Sequence, residues 1–163
     1  REDLGGSEYL KIIHAREQGS PPLLNLDEEK ALHECVLALV RGGLVQSAHD
    51  CSDGGLAVAL TESCISGPDR KLGAVVRLAP GRIRKDAVLF GESQSRVVLS
   101  AKPAHRPAIL DQAKRLGVPA DVIGSVTGAQ LTISLGDATM VDASVSTLHD
   151  RWALSIERTL KNE

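Results

Sequence analysis

The run His49-Asp50-Cys51-Ser52-Asp53-Gly54-Gly55-Leu56 constrains the fold of this chain more than any other. It follows "LVQSA", which reads as the start of a short strand, and opens "LAVALTESCIS", an apolar helix. Two adjacent glycines at such a junction allow backbone angles and close approaches that side chains resist. A strand that ends in polar residues, turns through glycine and enters a helix is also a recurrent ligand-site geometry. Ligands of open α/β sheets sit at the carboxyl ends of strands, and the first amides of a helix can hold an anion.

The rest of the chain alternates helical and strand patterns. "SEYLKIIHARE" predicts a short helix capped by Ser7, and "GSPPLLN" breaks it. "LDEEKALHECVLALVRGG" is the clearest helix, with Asp27 as its expected cap and Leu32, Cys35, Val36, Leu39 and Val40 at helical spacing. "KLGAVVRL" and "SRVVLSA" read as strands, and "RPAILDQAKRLG" as an amphipathic helix with Pro107 in its first turn. "ADVIGSVT" and "QLTISLGDATMVD" read as strands, the latter a hairpin turning at Gly136-Asp137. "STLHDRWALSIERTLK" reads as one final helix, with Thr147 and Asp150 forming a capping box and Leu148, Trp152, Leu154, Ile156 and Leu160 on its apolar face. The order predicts a mixed α/β domain with one sheet covered by helices.

Two polar constellations carry the candidate chemistry. In the first, Gly54 and Gly55 open the backbone to a ligand, while Asp50 and Asp53 repel phosphate unless a cation such as Mg²⁺ intervenes. The same residues also suit a purely structural turn, with Ser52 or Asp53 as the helix cap and Asp50 tying the loop. A Cys51 nucleophile with His49 as base has no third orienting group. The second constellation is Glu92, Ser93, Gln94, Ser95 and Arg96, five polar residues between "AVLF" and "VVLS". Serine, glutamine and a forked arginine suit a phosphate or a sugar; a solvated turn suits them as well.

Composition excludes several function classes. Phe90, Tyr9 and Trp152 are the only aromatics, too few for a base-stacking platform, and a net charge of −2 does not suit a phosphate-backbone binder. No apolar run approaches the ~20 residues of a membrane span, and "REDLGGSEYL" does not read as a signal peptide. Cys35, Cys51 and Cys64 have neither disulfide-framework nor zinc spacing, which suggests free thiols in a reducing cytoplasm. No metal-ligand spacing links His14, His33, His105 and His149. The single methionine is Met140, so the chain is read as a piece of a longer protein.

"AHDCSDGGLAVALTES" followed about forty residues later by "LFGESQSRVVLS" closely resembles the phosphoribosylformylglycinamidine synthases, the formylglycinamide ribonucleotide amidotransferases of purine biosynthesis. "LGGSEYLK", "IGSVTG" and "LHDRWALSIERTL" support the match. The resemblance implies the last, B-type domain of the synthetase subunit, with the fold of an aminoimidazole ribonucleotide synthetase C-terminal domain. Residues 26–163 would form that domain, and residues 1–25 the tail of a preceding one plus a linker. It implies a reaction using ATP, Mg²⁺ and glutamine-derived ammonia, in which the substrate's amide oxygen is phosphorylated and ammonia displaces phosphate. No catalytic residue and no metal ligand is expected in this chain, and neither ATP nor Mg²⁺ is expected to bind it tightly.

The resemblance makes Asp50, Ser52, Asp53, Gly54, Gly55, Glu92, Ser93, Gln94 and Arg96 the substrate- or nucleotide-binding candidates, in a pseudo-equivalent copy of the catalytic site. The implied partners are the other domains of the same subunit, a glutaminase subunit and a small accessory subunit, with no nucleic acid and no membrane. A nucleotide- or phosphate-binding module is the competing reading. So is a domain of a related aminoimidazole ribonucleotide synthetase or a selenophosphate or thiamine-phosphate kinase.

Overall fold

A computed structural model describes residues 4–67 and 72–161. The chain is mixed α/β, and it divides into two compact units: Arg1–Ala59 with Arg82–Val122, and Leu60–Gly81 with Ile123–Glu163.

The first unit contains α1 (Glu8–His14), α2 (Leu26–Arg41), β1 (Ser47–Asp50), α4 (Lys85–Phe90), β3 (Val97–Ser100) and α5 (Arg106–Arg115), together with the first turns of α3 (Gly55–Ile65). Its core is Cys35 and Leu39 of α2 against Ala113 of α5, closed by Leu44, Val45, Leu99, Ile109, Leu116 and Val118. This is the helical stripe the sequence predicts for α2, except that Val40 lies half exposed. The cap of α2 is Asn25, not Asp27: its side chain accepts from the backbone amides of Asp27 at 3.0 Å and Glu28 at 3.4 Å. Asp27, Glu28 and Glu29 then occupy the first turn, where the helix dipole favours carboxylates.

β1 and β3 form an antiparallel pair, with Ser47 opposite Ser100 and Asp50 opposite Val97. Hydrogen bonds from Gln46 N to Ser100 O and from Cys51 N to Arg96 O extend the ladder at both ends. The register is what builds the candidate site. Antiparallel pairing sets the glycine turn that leaves β1 beside the polar run that enters β3.

The second unit holds the remainder of α3 with β2 (Ala74–Leu78), β4 (Gly124–Val126), β5 (Gln130–Leu135), β6 (Ala138–Ser144), α6 (Val145–Ala153) and α7 (Ser155–Lys161). Its sheet has the order β4-β2-β5-β6, with β2 and β5 parallel and the other pairs antiparallel. Leu131, Ile133 and Leu135 of β5 alternate inward and are buried, as is Val145. The β5–β6 hairpin turns at Gly136-Asp137 as the sequence predicts, with Gly136 at φ 59°.

Three elements differ from the sequence reading. The strands form two hydrogen-bonded sets rather than one sheet. The helix α4 arises from "KDAVLF", to which the sequence patterns assign no element; six residues are too few to display a helical period. The final helix breaks at Leu154 into α6 and α7, and it starts earlier than expected because β6 runs directly into Val145. Ser144 is therefore the cap, accepting from Thr147 N at 3.1 Å, and Trp152, Ile156 and Leu160 are exposed. All three cysteine thiols are free. No helix among the described residues is long and apolar enough to cross a membrane.

Candidate functional site

The two polar constellations meet, and Glu92 joins them. Its Oε1 accepts from Gly54 N at 2.8 Å and from Glu8 N at 2.9 Å. The Gly54 amide, which a bound phosphate would need at the start of α3, is thus already donated to the chain's own carboxylate. A hydrogen bond to an ionised acceptor is roughly twice as strong as a neutral one, so this internal anion holds the turn firmly.

The glycines serve the same closure. Gly54 and Gly55 have φ of 77° and 67°. A Cβ on Gly55 would lie 2.5 Å from Gly91 O and 2.8 Å from Phe90 C, and one on Gly54 would meet the Val58 side chain at 2.4 Å. At Gly55 backbone packs on backbone, and the loop before Glu92 fills the space that a side chain would take; at Gly54 the Val58 side chain fills it.

The rest of the second constellation is also turned inward. The Arg96 guanidinium donates from Nη2 to Gly91 O and from Nε to Ser93 O at 3.3 Å, so its fork clasps its own loop. Ser93 is buried. Ser95, at φ 60°, donates its hydroxyl to Glu29 of α2, and the other oxygen of Glu29 lies 2.8 Å from His33 Nε2. Gln94 is exposed.

The first constellation keeps an exposed polar edge. Asp50, Ser52 and Asp53 are exposed at the carboxyl end of β1. The Ser52 hydroxyl donates to Asp50 Oδ2, and the Ser52 carbonyl accepts from Gly55 N at 3.0 Å. The Ser52 hydroxyl, a backbone hydrogen bond and the nearby His49 hold the Asp50 carboxyl below its ordinary pKa, against a small opposing effect of burial. His49 Nδ1 lies 2.7 Å from Asp50 O. Burial pushes the Cys51 thiol up, and the nearby Arg96 only partly offsets it. Burial thus disfavours the thiolate that a Cys51 nucleophile would need.

The donor set does not assemble a metal cage: no group of three or more His, Cys, Asp and Glu side chains comes together among the described residues. Glu92 is engaged by two amides. Sequence reasoning missed three contributors, Glu8, Tyr9 and Glu29. The signal for Tyr9 was available: it is one of only three aromatics, and its ring stacks on Phe90, another of them, at 4.8 Å.

The family described as "AIR synthase related protein, C-terminal domain" matches residues 2–136. The chain belongs to this family. As a member of it, the chain is 43% identical over 154 residues to the phosphoribosylformylglycinamidine synthase subunit PurL of Moorella thermoacetica, covering 94% of this chain and 20% of the relative. The chain therefore spans about a fifth of the length of the curated relatives it matches. Among solved structures, Thermotoga maritima PurL complexed with ATP resembles it with a TM-score of 0.68 and 25% identity, covering 89% of this chain and 24% of the other. The PurLQS structure from the same organism resembles it with a TM-score of 0.66 and 26% identity, covering 89% and 25%. Membership of the AIR synthase related family accords with the mixed α/β fold described above. It accords equally with the two motifs that carried the resemblance from sequence.

Proposed function

We propose that this chain is the C-terminal B-type domain of the synthetase subunit of a phosphoribosylformylglycinamidine synthase. The observation that carries this reading is the 43% identity over 154 residues, 94% of the chain. In the whole subunit, formylglycinamide ribonucleotide, ATP and ammonia give the amidine and release phosphate. Residues 26–163 are the domain proper, and residues 1–25 the tail of the preceding domain with its linker. The domain acts as a scaffold that is inactive alone. Its partners are the other domains of its subunit, a glutaminase subunit and a small accessory subunit, in the cytoplasm.

Within that reading, Asp50, Ser52, Asp53 and Gln94 form the edge of an auxiliary nucleotide region, because they are the exposed members of the candidate set. Gly54, Gly55, Glu92, Ser93 and Arg96 shape that edge from behind through the contacts described above. ATP and Mg²⁺ belong to the assembled enzyme, with the remaining ligands supplied by other domains.

The decisive experiment replaces the matching fifth of the Moorella thermoacetica subunit with this chain and assays amidine formation with ammonia. The hybrid is expected to retain activity within about tenfold, roughly 1.4 kcal/mol of transition-state stabilisation. A folded hybrid without activity overturns the assignment. A nucleotide-binding module is the second reading, favoured by the exposed polar edge of Ser52 and Gln94 beside the glycine turn at the carboxyl end of β1. Calorimetry of the isolated chain with ATP and ADP, with and without Mg²⁺, distinguishes them: heat at micromolar nucleotide supports the module, and none at millimolar supports the scaffold.

A further inference from the structure

We infer that Glu92 is a latch that ties residues 4–20 and the turn 51–55 into one cooperative element. Residues 4–20 form a closed strap. Gly6 N donates to Gln18 O at 3.0 Å, and a Cβ on Gly5 would lie 2.2 Å from Ser20 O, so the two ends of the strap touch. Inside it, the buried Ser7 donates to Leu4 O at 2.6 Å and caps α1 by accepting from Leu10 N.

Among the described residues, two of the contacts that hold the strap come from residues 90–92. The Tyr9 ring lies parallel to Phe90, with an interplanar angle of 1°. Two residues on, the Glu92 carboxylate accepts from Glu8 N, one of the amides that a helix start leaves unpaired. The same loop grips the turn: Glu92 accepts from Gly54 N, and the Phe90–Gly91 backbone packs on Gly55. One oxygen thus serves two segments that share no covalent neighbourhood. Opening either segment removes one of the two hydrogen bonds to Glu92 Oε1 and weakens its hold on the other. Groups that share a partner couple in this way. A displacement of the turn is therefore transmitted to the strap through residues 90–92, with Glu92 hydrogen-bonded to both segments.

The latch needs no nucleotide, so its failure and the failure of the synthetase reading are distinguishable. The test is amide hydrogen exchange on this chain, resolved by residue, for the wild type, Glu92→Gln, Glu92→Ala and Tyr9→Ala. Local opening accelerates exchange only where protection is lost. In Glu92→Ala the amides of Glu8 and Gly54 are expected to exchange about ten- to a hundredfold faster, by similar factors. In Glu92→Gln, which keeps an acceptor without the charge, both are expected to rise together by about tenfold or less. Tyr9→Ala alters no residue of the turn, yet is expected to accelerate Gly54 as well as Glu8. The amides of Leu131 and Ile133 report whether a variant is globally destabilised; if Glu92→Ala raises them too, Glu92→Gln and Tyr9→Ala decide. Acceleration of only one of the two amides in a Glu92 variant overturns the latch. So does an unchanged Gly54 amide in Tyr9→Ala.

Discussion

Gly55 and Gly91 meet backbone to backbone: a Cβ on Gly55 would stand 2.5 Å from the Gly91 carbonyl oxygen. Gly55 also has φ of 67°, a region L-residues enter at a cost. Gly55→Ala therefore combines a strained backbone with a clash against backbone that cannot swing aside. It is expected to destabilise the protein by more than about 2 kcal/mol, read as a shift of the urea midpoint at unchanged slope. A change within about 0.5 kcal/mol means that the turn is not packed as described.

Asp50 is held below its ordinary pKa chiefly by the Ser52 hydroxyl. A carboxylate whose pKa is lowered on folding contributes stability that is present above its unfolded value. That contribution is lost as pH falls below about 4 and through the folded value. Ser52→Ala is expected to move the Asp50 midpoint upward, seen in its side-chain carboxyl carbon shift, and to shrink this acid-side loss. Asp50 is largely exposed, so the effect on stability is small. A midpoint that stays put assigns the lowering to the backbone hydrogen bond or His49.

The cap of α2 gives a comparison between two neighbours. Asn25→Ala is expected to cost about 1 kcal/mol, because it leaves two first-turn amides without their acceptor. Asp27→Ala removes only a favourable charge near the dipole and is expected to cost about 0.5 kcal/mol. The reverse order in thermal denaturation restores Asp27 as the cap.

Leu131 and Ile133 have no solvent exposure in β5, the strand paired on both sides in its sheet. Truncating either to alanine is expected to cost about 2–5 kcal/mol by leaving a cavity. Thr132→Ala, between them on the opposite face, is expected to change stability by less than about 1 kcal/mol. Denaturant titration of the three variants checks the alternation directly.

Much of the architecture was legible along the chain because it is local. Helical spacing from Leu32 to Leu39, β-branched runs at 74–78 and 130–135, and Gly136-Asp137 each follow from short-range preference. The junction at Gly54-Gly55 was legible too, as a turn between strand and helix. α4 was not, because six residues cannot show a period. Nor was the break at Leu154, since the apolar positions around it continue without a glycine or proline.

The sequence by itself determined the class of fold, the strand–turn–helix junction and the two polar motifs, all of which rest on residues near one another in the chain. Only the tertiary structure decided which polar groups face solvent and which face inward. The antiparallel register of β1 and β3 carries Glu92 to Gly54, so a carboxylate from 38 residues away occupies the amide that sequence alone left open to a ligand. Hydrogen bonds saturate: once Glu92 takes that amide, and Arg96 takes the carbonyls of Gly91 and Ser93, those groups are engaged. Asp50, Ser52, Asp53 and Gln94 remain as the exposed edge.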